Sequence, residues 1–239
     1  MKRSILLISL VLIACEAEPD DRVAGTETGN ALDESVPIQL ALRVVEPPEI
    51  RDAAGAVIVL EAASAAVLRV DFELPAGRTC AEIGHLVVGG TCAQDEAGER
   101  IRFAGPWSLD LLTGEASPAL DGLALPAGTY RRVEVRLRGE PTSLAVEGTA
   151  DGQPFSITVA DTLDARFEGD AAVVGGAGPV PLALDLPLDA WFGAADVGAC
   201  AAEGGAIAED VGGACEAAYD ALTRGVERLG RLEHDDQDD

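Results

Sequence analysis

Lysine is almost absent from this chain of 239 residues, since Lys2 is the only one. Lys2 lies in an export signal described below, so the mature chain has no lysine for Schiff-base or general-base chemistry. Histidine is limited to His85 and His234, and His234 lies in an acidic tail. A Ser-His-Asp arrangement would therefore depend on His85 alone.

The short motifs that mark common catalytic and phosphate-binding sites are missing as well. No G-x-S-x-G element precedes a helical stretch, and no EF-hand loop is present. No G-K-[ST] follows the Gly-Gly pairs at 89–90, 175–176, 204–205 and 212–213. We therefore assign no catalytic residue, no metal and no cofactor, and we expect the protein not to be an enzyme.

Positive charge is scarce, because the chain has 17 Lys and Arg residues against 42 Asp and Glu residues. Without Lys2 and Arg3 the mature chain has 15 against 42, a formal net charge of −27. Such a chain repels nucleic acids and anionic lipid headgroups, which both carry dense negative charge. The charge balance therefore excludes nucleic acid as a partner.

The chain begins with the parts of a secretory signal. Lys2 and Arg3 form the charged region, and the nine residues from Ile5 to Ile13 carry no charge. Nine apolar residues are too few to span a bilayer. Ala14 supplies the small residue that precedes a cleavage site.

A cysteine follows this site at once, and the run Leu12-Ile13-Ala14-Cys15 resembles a bacterial lipobox. The resemblance implies removal of residues 1–14 and acylation of Cys15, as with palmitate, which would anchor the protein in a membrane. An ordinary signal peptide with a chance cysteine is the alternative. Glu16 after the cysteine resembles outer-membrane sorting in Gram-negative bacteria.

Four cysteines follow Cys15, namely Cys80, Cys92, Cys200 and Cys215. An even number in an exported chain indicates disulfides, because the envelope is oxidising. Three pairings fit this count, and short closable loops favour Cys80–Cys92 and Cys200–Cys215. Each bond would stabilise the fold by about 3 kcal/mol in the chain-entropy model.

His85 lies between the first two of these cysteines, in the spacing C-x4-H-x6-C. This pattern offers a metal two sulfurs and one nitrogen, but a fourth ligand is not evident. Thiols in the envelope are usually oxidised. We therefore interpret the segment as a disulfide-closed loop with an incidental histidine.

Two further kinds of site are alternatives to a structural role. Carboxylates near predicted strand ends could hold Ca²⁺, and exposed tryptophans could stack on a sugar. Solvated surface charge and core packing are the simpler interpretations. The residues concerned are Asp161, Asp164, Asp185, Asp189, Trp107 and Trp191.

Alternation of apolar and polar residues predicts β-strands across most of the chain. A clear example is Phe155, Ile157 and Val159, and turns such as Pro126-Ala127-Gly128 separate the runs. The expected fold class is mainly β, an antiparallel β-sandwich followed by a C-terminal helical segment. The predicted strands cover 38–44, 56–61, 68–74, 84–88, 99–104, 107–112, 133–137, 143–148, 155–159, 165–174 and 182–188.

The last fifth of the chain changes to a helical period. Apolar residues recur at intervals of three and four from Ile207 to Leu229, and Gly212-Gly213 interrupts the pattern. This spacing predicts a helix from Ala214 to Leu232 that packs on the sandwich.

Composition divides the chain into five parts. Residues 1–14 are the signal, and residues 15–36 form an acidic tether that starts at the lipidated cysteine. Residues 37–190 form the β-sandwich domain and residues 191–233 the disulfide-bonded helical segment. Residues 234–239 form a solvated acidic tail.

Two motifs in the middle of the chain carry a family resemblance. Residues 105–114 read GPWSLDLLTG and residues 125–135 read LPAGTYRRVEV. They resemble a family of uncharacterised bacterial lipoproteins with a W-x-x-DLL-x-G element and an L-PAG-x-Y strand, over residues 38–190. The resemblance implies a transthyretin-like or immunoglobulin-like sandwich and no catalytic residues. The residues also predict that Tyr130 buries its ring and sends its hydroxyl to a backbone carbonyl, as in a tyrosine corner.

These features together predict a membrane-anchored envelope lipoprotein of the outer membrane, facing the periplasm or the cell surface. The expected role is non-catalytic, either structural or in binding another envelope protein. A carbohydrate- or calcium-binding module at the cell surface, with a glycan as partner, is the alternative. Buried tryptophans would favour the first role, and tryptophans in a groove would favour the second.

Overall fold

The structure, a computed structural model, describes residues 33–45, 49–96, 98–175, 178–226 and 230–234. The strands are β1 (Ser35–Val45), β2 (Ile50–Arg51), β3 (Val57–Glu73), β4 (Thr91–Asp95), β5 (Gly98–Asp110), β6 (Ala116–Ser117), β7 (Leu123–Pro126), β8 (Gly128–Leu137), β9 (Leu144–Ala150), β10 (Gln153–Val159), β11 (Asp164–Val173), β12 (Val180–Pro187), β13 (Ala206–Ile207) and β14 (Gly230–His234). The helices are α1 (Cys80–Ile83), α2 (Leu188–Phe192), α3 (Val197–Ala202) and α4 (Gly213–Val226), with a 3-10 turn at Gly84–Leu86.

The fold is mainly β, as predicted: a largely antiparallel β-sandwich with a helical segment towards the C-terminus. Alternation produces this arrangement, because successive side chains of a strand point to opposite faces. In β10, Phe155, Ile157 and Val159 are buried while the residues between them are exposed. Apolar faces of this kind from most strands meet in one core.

The strands form one continuous sheet that folds over into the layers of the sandwich. Its main path runs β13-β10-β9-β3-β8-β11-β14-β12-β1-β7, and β5 pairs with the other edge of β3. Three neighbouring pairs are parallel, namely β1 with β12, β10 with β13, and β11 with β14. The alternation pattern alone did not predict these parallel pairs.

The strand β3 is longer than predicted, with 17 residues that join the runs expected at 56–61 and 68–74. The alanine-rich stretch from Ala62 to Ala66 has no clear alternation of apolar and polar residues, so the sequence pattern did not predict that the two runs form one strand. The pairing of β3 with β5 shifts register between Val67 and Arg69. A side chain at Gly105 would lie 2.6 Å from the carbonyl oxygen of Val67, so this shift requires a glycine opposite it.

The strand predicted at 84–88 is wrong. This segment continues α1 as a 3-10 turn, and only Val88 makes an isolated bridge, to Ala124. The helix begins at Thr79, whose N–H donates to the carboxylate of Glu82 across 3.0 Å. This local capping bond outweighs the apolar residues that favoured a strand.

The predicted helix from Ala214 to Leu232 is correct only in its first part. The observed helix α4 ends at Val226, and Gly230–His234 form β14 between β11 and β12. Main-chain pairing explains this change, because without β14 the facing edges of β11 and β12 would lack partners. Residue His234, assigned to the tail, therefore belongs to the sheet, and residues 235–239 lie outside the described residues.

The sandwich also begins earlier than predicted. Ser35 and Val36 were assigned to the tether, but they belong to β1, and Val36 is fully buried. Pairing with β7 explains this, because Ser35 to Ile38 lie opposite Pro126 to Leu123.

Candidate interaction cleft

An open cleft of about 840 Å³ lies beside β1, between this strand and the loop that joins β5 to β7. Its lining combines residues of β1 with the loop from Thr113 to Gly122, and Val88 and Pro179 complete the rim. The volume lies in the range of pockets that hold a ligand. β1 and the chain from Leu111 to Leu123 are joined by main-chain contacts at two places, Val44 with Leu111 and Ile38 with Leu123. The cleft lies between these two contacts.

Each edge of β1 has a different partner. On one edge β12 pairs in parallel along the strand, from Ile38 to Val45. On the other edge β7 pairs only with Ser35 to Ile38. The stretch from Gln39 to Arg43 therefore has a strand on one side and the cleft on the other.

The direction of the backbone groups in this stretch follows from the bonds at its two ends. The Glu34 carbonyl accepts a hydrogen bond from the N–H of Ala127, and the Val44 N–H donates to the carbonyl of Leu111. Since N–H and C=O groups of a strand alternate between its edges, the even-numbered residues face this edge. Leu40 therefore directs its backbone groups to the cleft. Leu42 directs its groups to the same edge of β1, where its carbonyl oxygen lies beside Gly114. Within the described ranges, no strand and no loop residue hydrogen-bonds to them there.

The side chains of Leu40 and Leu42 point into the core, where they pack near Trp107 and Leu109 of β5. Leu120 from the loop lies against both the core and the cleft. Burial of Leu40 and Leu42 fixes the strand, so its open edge is rigidly presented.

The loop wall is held by its own hydrogen bonds. The Asp110 carboxylate accepts from the N–H groups of Leu112 and Thr113, at 2.9 and 3.1 Å. Gly114 has a φ of +74°, and a side chain there would lie 3.7 Å from the Arg43 side chain. The positive φ favours glycine at this position, where the loop crosses the outer face of β1.

Two exposed carboxylates, Glu115 and Asp121, lie on the cleft wall. Across the portion of the chain that is described, neither side chain has a hydrogen bond or an ion pair. Among the described residues of the lining, Arg43 is the one cationic side chain, and it donates to Asp185 across 2.9 Å. The cleft is therefore electronegative, in a chain that is itself strongly acidic.

The hydroxyl groups of the lining are engaged with the backbone. The Ser35 hydroxyl donates to the carbonyl of Leu86 across 2.6 Å, and the Thr113 hydroxyl accepts from the N–H of Glu115 across 3.3 Å. Among the described residues of the lining there is no histidine, cysteine or aromatic side chain.

Both predicted disulfides are confirmed, since Cys80 is bonded to Cys92 and Cys200 to Cys215. Cys200 and Cys215 are buried and join α3 to α4, whereas Cys80 and Cys92 join α1 to β4 in a partly exposed site. The cysteines therefore do not hold a metal with His85, which is exposed on the 3-10 turn.

Three of the four carboxylates considered for calcium have other partners, and the side chain of Asp189 lies outside the described part of the structure. Asp161 accepts from the Tyr219 hydroxyl across 2.9 Å, and Asp164 pairs with Arg136. The hydrogen bond from Arg136 holds the pKa of Asp164 below its usual value. Asp185 pairs with Arg43, as described above. In the described parts of the chain, no three His, Cys, Asp or Glu side chains form a group that could hold a metal.

Both tryptophans are buried. Trp107 is 9% exposed and Trp191 is 4% exposed, and the Trp191 indole N–H donates to the Leu222 carbonyl across 2.9 Å. Neither ring is available to stack on a sugar. Tyr130 is buried as predicted, and its hydroxyl donates to the Pro126 carbonyl across 2.8 Å.

The signal at 1–14, Cys15 and the tether to residue 32 lie outside the described residues. None of the helices in the described ranges is long and apolar enough to cross a membrane.

Sequence reasoning missed the cleft, because no motif marks it. Pro37 is the one residue whose type is typical of such a position, since proline in a strand indicates an edge or a strand start. The pairing of residues 35–38 with 123–126 joins segments far apart in the chain, and local alternation does not report such contacts.

Comparison with protein-family models, curated proteins and solved structures finds no match.

Proposed function

We propose that this protein is a membrane-anchored envelope lipoprotein with a non-catalytic role, and that it binds another envelope protein through the cleft beside β1. The observation that carries this proposal is the open strand edge at Leu40 and Leu42 inside a preformed cleft. An exposed edge is a template for pairing with another chain, and proteins usually cover it. An edge kept open within a cleft is therefore best explained by a partner.

The anchoring half of the proposal rests on the sequence. The lipobox-like Leu12-Ile13-Ala14-Cys15 would place two or three acyl chains on Cys15, and two chains hold a protein stably at a membrane. Nineteen residues, from 16 to 34, then separate the anchor from β1. They span at most about 65 Å, which sets the greatest distance between the membrane and the cleft. The family resemblance, to bacterial lipoproteins with no assigned catalytic residues, is part of the same proposal.

The chemistry of the cleft supports a binding role rather than a catalytic one. In the part of the lining that the structure describes, the hydroxyl groups are bonded to backbone groups and the only cation, Arg43, is paired with Asp185. A carbohydrate site would gain from exposed aromatic rings, and the tryptophans are in the core. The cleft offers backbone groups, small apolar side chains and carboxylates. These groups are sufficient to bind a partner protein.

Site-specific photocrosslinking in cells tests this function. A photoreactive residue replaces Ala119, which is exposed in the cleft, or Glu147, which is exposed on β9 and outside the cleft. We expect a discrete protein adduct from position 119 and none from position 147. The adduct from position 119 should fall when Cys15→Ser releases the chain from the membrane. Equal adducts from both positions, or none from either, would contradict the proposal.

A further inference from the structure

We infer that the cleft takes an extended, positively charged segment of another protein, which adds as a strand to the edge of β1 at Leu40 and Leu42. This inference rests on the proposed function and specifies the chemistry of the partner.

The edge of β1 has backbone groups that can form hydrogen bonds with a guest strand. Leu40 presents its N–H and C=O groups to the cleft, and Leu42 directs its groups to the same edge of β1. The described residues leave these groups without main-chain partners. In strand addition such groups supply the affinity, and alternate side chains of the guest supply the specificity. The open stretch from Gln39 to Arg43 is about 17 Å long at 3.3–3.4 Å per residue. That length fits a short guest strand.

The shape of the cleft also suits a guest strand. The stretch ends at Leu123, which pairs with Ile38, and at Leu111, whose carbonyl accepts from Val44. Between these points the walls include small residues, such as Ala41, Ala116 and Ala119. Small side chains allow another backbone to approach closely, whereas large ones would fill the cleft.

The carboxylates of the cleft favour a positively charged guest. Glu115 and Asp121 line the cleft without a cationic partner in the described structure. Arginine or lysine side chains of a guest strand would reach these carboxylates, and complementary charge also speeds association. A basic segment is therefore favoured over a neutral or acidic one.

The same charges argue against the chain's own segments and against a second copy. Residues 16–32 contain five acidic residues and one basic residue, and four of residues 235–239 are aspartates. A second copy would bring a net charge of −27. Like charges close together are destabilising, so another protein is the occupant that fits.

A designed five-residue peptide that matches the length of the open stretch tests the inference, namely acetyl-Val-Arg-Val-Arg-Val-amide with a fluorescent label. We expect it to bind the mature soluble domain and to protect the amides of Leu40 and Leu42 from hydrogen exchange. Methylating the backbone nitrogens of its three central residues removes the donors, and should weaken binding by about tenfold or more. Replacing both arginines by glutamate should weaken binding by a similar factor.

Protein variants provide the matched control. Glu115→Lys with Asp121→Lys should weaken binding of the arginine peptide and strengthen binding of the glutamate peptide. Glu61→Lys with Glu147→Lys makes an equal charge change on β3 and β9, outside the cleft, and should leave both affinities unchanged apart from long-range screening. Circular dichroism would establish that each variant is folded.

Three results would overturn the inference. They are absence of binding, binding that is unaffected by N-methylation, and binding without protection of Leu40 and Leu42. Each would leave the crosslinking test of the proposed function intact, since a partner can occupy the cleft through side chains alone. Loss of crosslinks from position 119, in contrast, would reject the function itself.

Discussion

The backbone N–H of Val44 donates a hydrogen bond to the carbonyl oxygen of Leu111, across 2.9 Å. Leu111 in turn donates its own N–H to the carbonyl of Ala63, also across 2.9 Å, so it links β1 to β3. This link closes one end of the cleft, and the pairing of Ile38 with Leu123 closes the other. Main-chain bonds therefore fix both ends, and the edge between them cannot close by a shift of side chains.

Tyr130→Phe is predicted to destabilise the fold. The substitution leaves the Pro126 carbonyl, in a buried residue, without its donor from the hydroxyl. The expected loss is about 1–3 kcal/mol in the free energy of unfolding, as for an unsatisfied buried group. Urea denaturation measures it, and an unchanged slope would show that the shift in midpoint reflects a change in stability. An unchanged midpoint would show that the tyrosine corner contributes only the packing of its ring.

Tyr219→Phe is predicted to have an effect that depends on pH. Burial, together with the hydrogen bond to Asp161, raises the pKa of Tyr219 above its usual value of 10.0. A raised pKa means that the neutral phenol stabilises the fold below pH 10, and that this contribution is lost as the pH rises above 10. We expect the wild type to exceed the variant by about 1–2 kcal/mol at pH 7, with the gap shrinking above pH 10. A gap that stays constant from pH 7 to pH 11 would contradict this account.

Local sequence patterns predicted much of the fold but did not predict the cleft. The alternation around Phe155 to Val159 predicted a strand because one of its faces is buried in the core. The even cysteine count and short loops predicted both disulfides. The strand β14 was missed because its pairing depends on β11 and β12, which are distant in sequence. The cleft was missed for the same reason, since an unpaired edge is defined by which strands do not reach it.

Removal of the two disulfides is predicted to have unequal effects. Replacing Cys200 and Cys215 by alanine should destabilise the protein by about 3 kcal/mol from lost chain constraint alone, since the two cysteines are 15 residues apart. Both side chains are buried, so lost packing adds to this cost. The same change at Cys80 and Cys92, 12 residues apart and partly exposed, should cost less. Thermal unfolding of both double variants checks the order, and a larger loss for the Cys80–Cys92 pair would refute it.

Cys15→Ser is predicted to abolish membrane anchoring. Without the thiol no acyl chain is attached at this position, and the product should be soluble or retain its signal. Membrane fractionation together with intact mass of the detergent-extracted wild type measures this, with a mature chain that starts at an acylated Cys15 as the expected result. Replacing Cys80 and Cys92 by serine is the control, because it removes two other cysteines and should leave the protein in the membrane. A soluble wild-type chain cleaved elsewhere would show that the signal is an ordinary one.

The cleft is a binding site for a strand only if the edge of β1 is open in the unbound protein. Residue-resolved amide hydrogen exchange of the mature domain, without any ligand, measures whether this edge is open. We expect the amides of Leu40 and Leu42 to exchange faster than that of Val44, whose N–H is bonded to Leu111, by about a hundredfold or more. Ala41, whose groups face β12, should be as slow as Val44. Equal and slow exchange at all four positions would show that the chain's own residues already cover the edge, and would contradict the account.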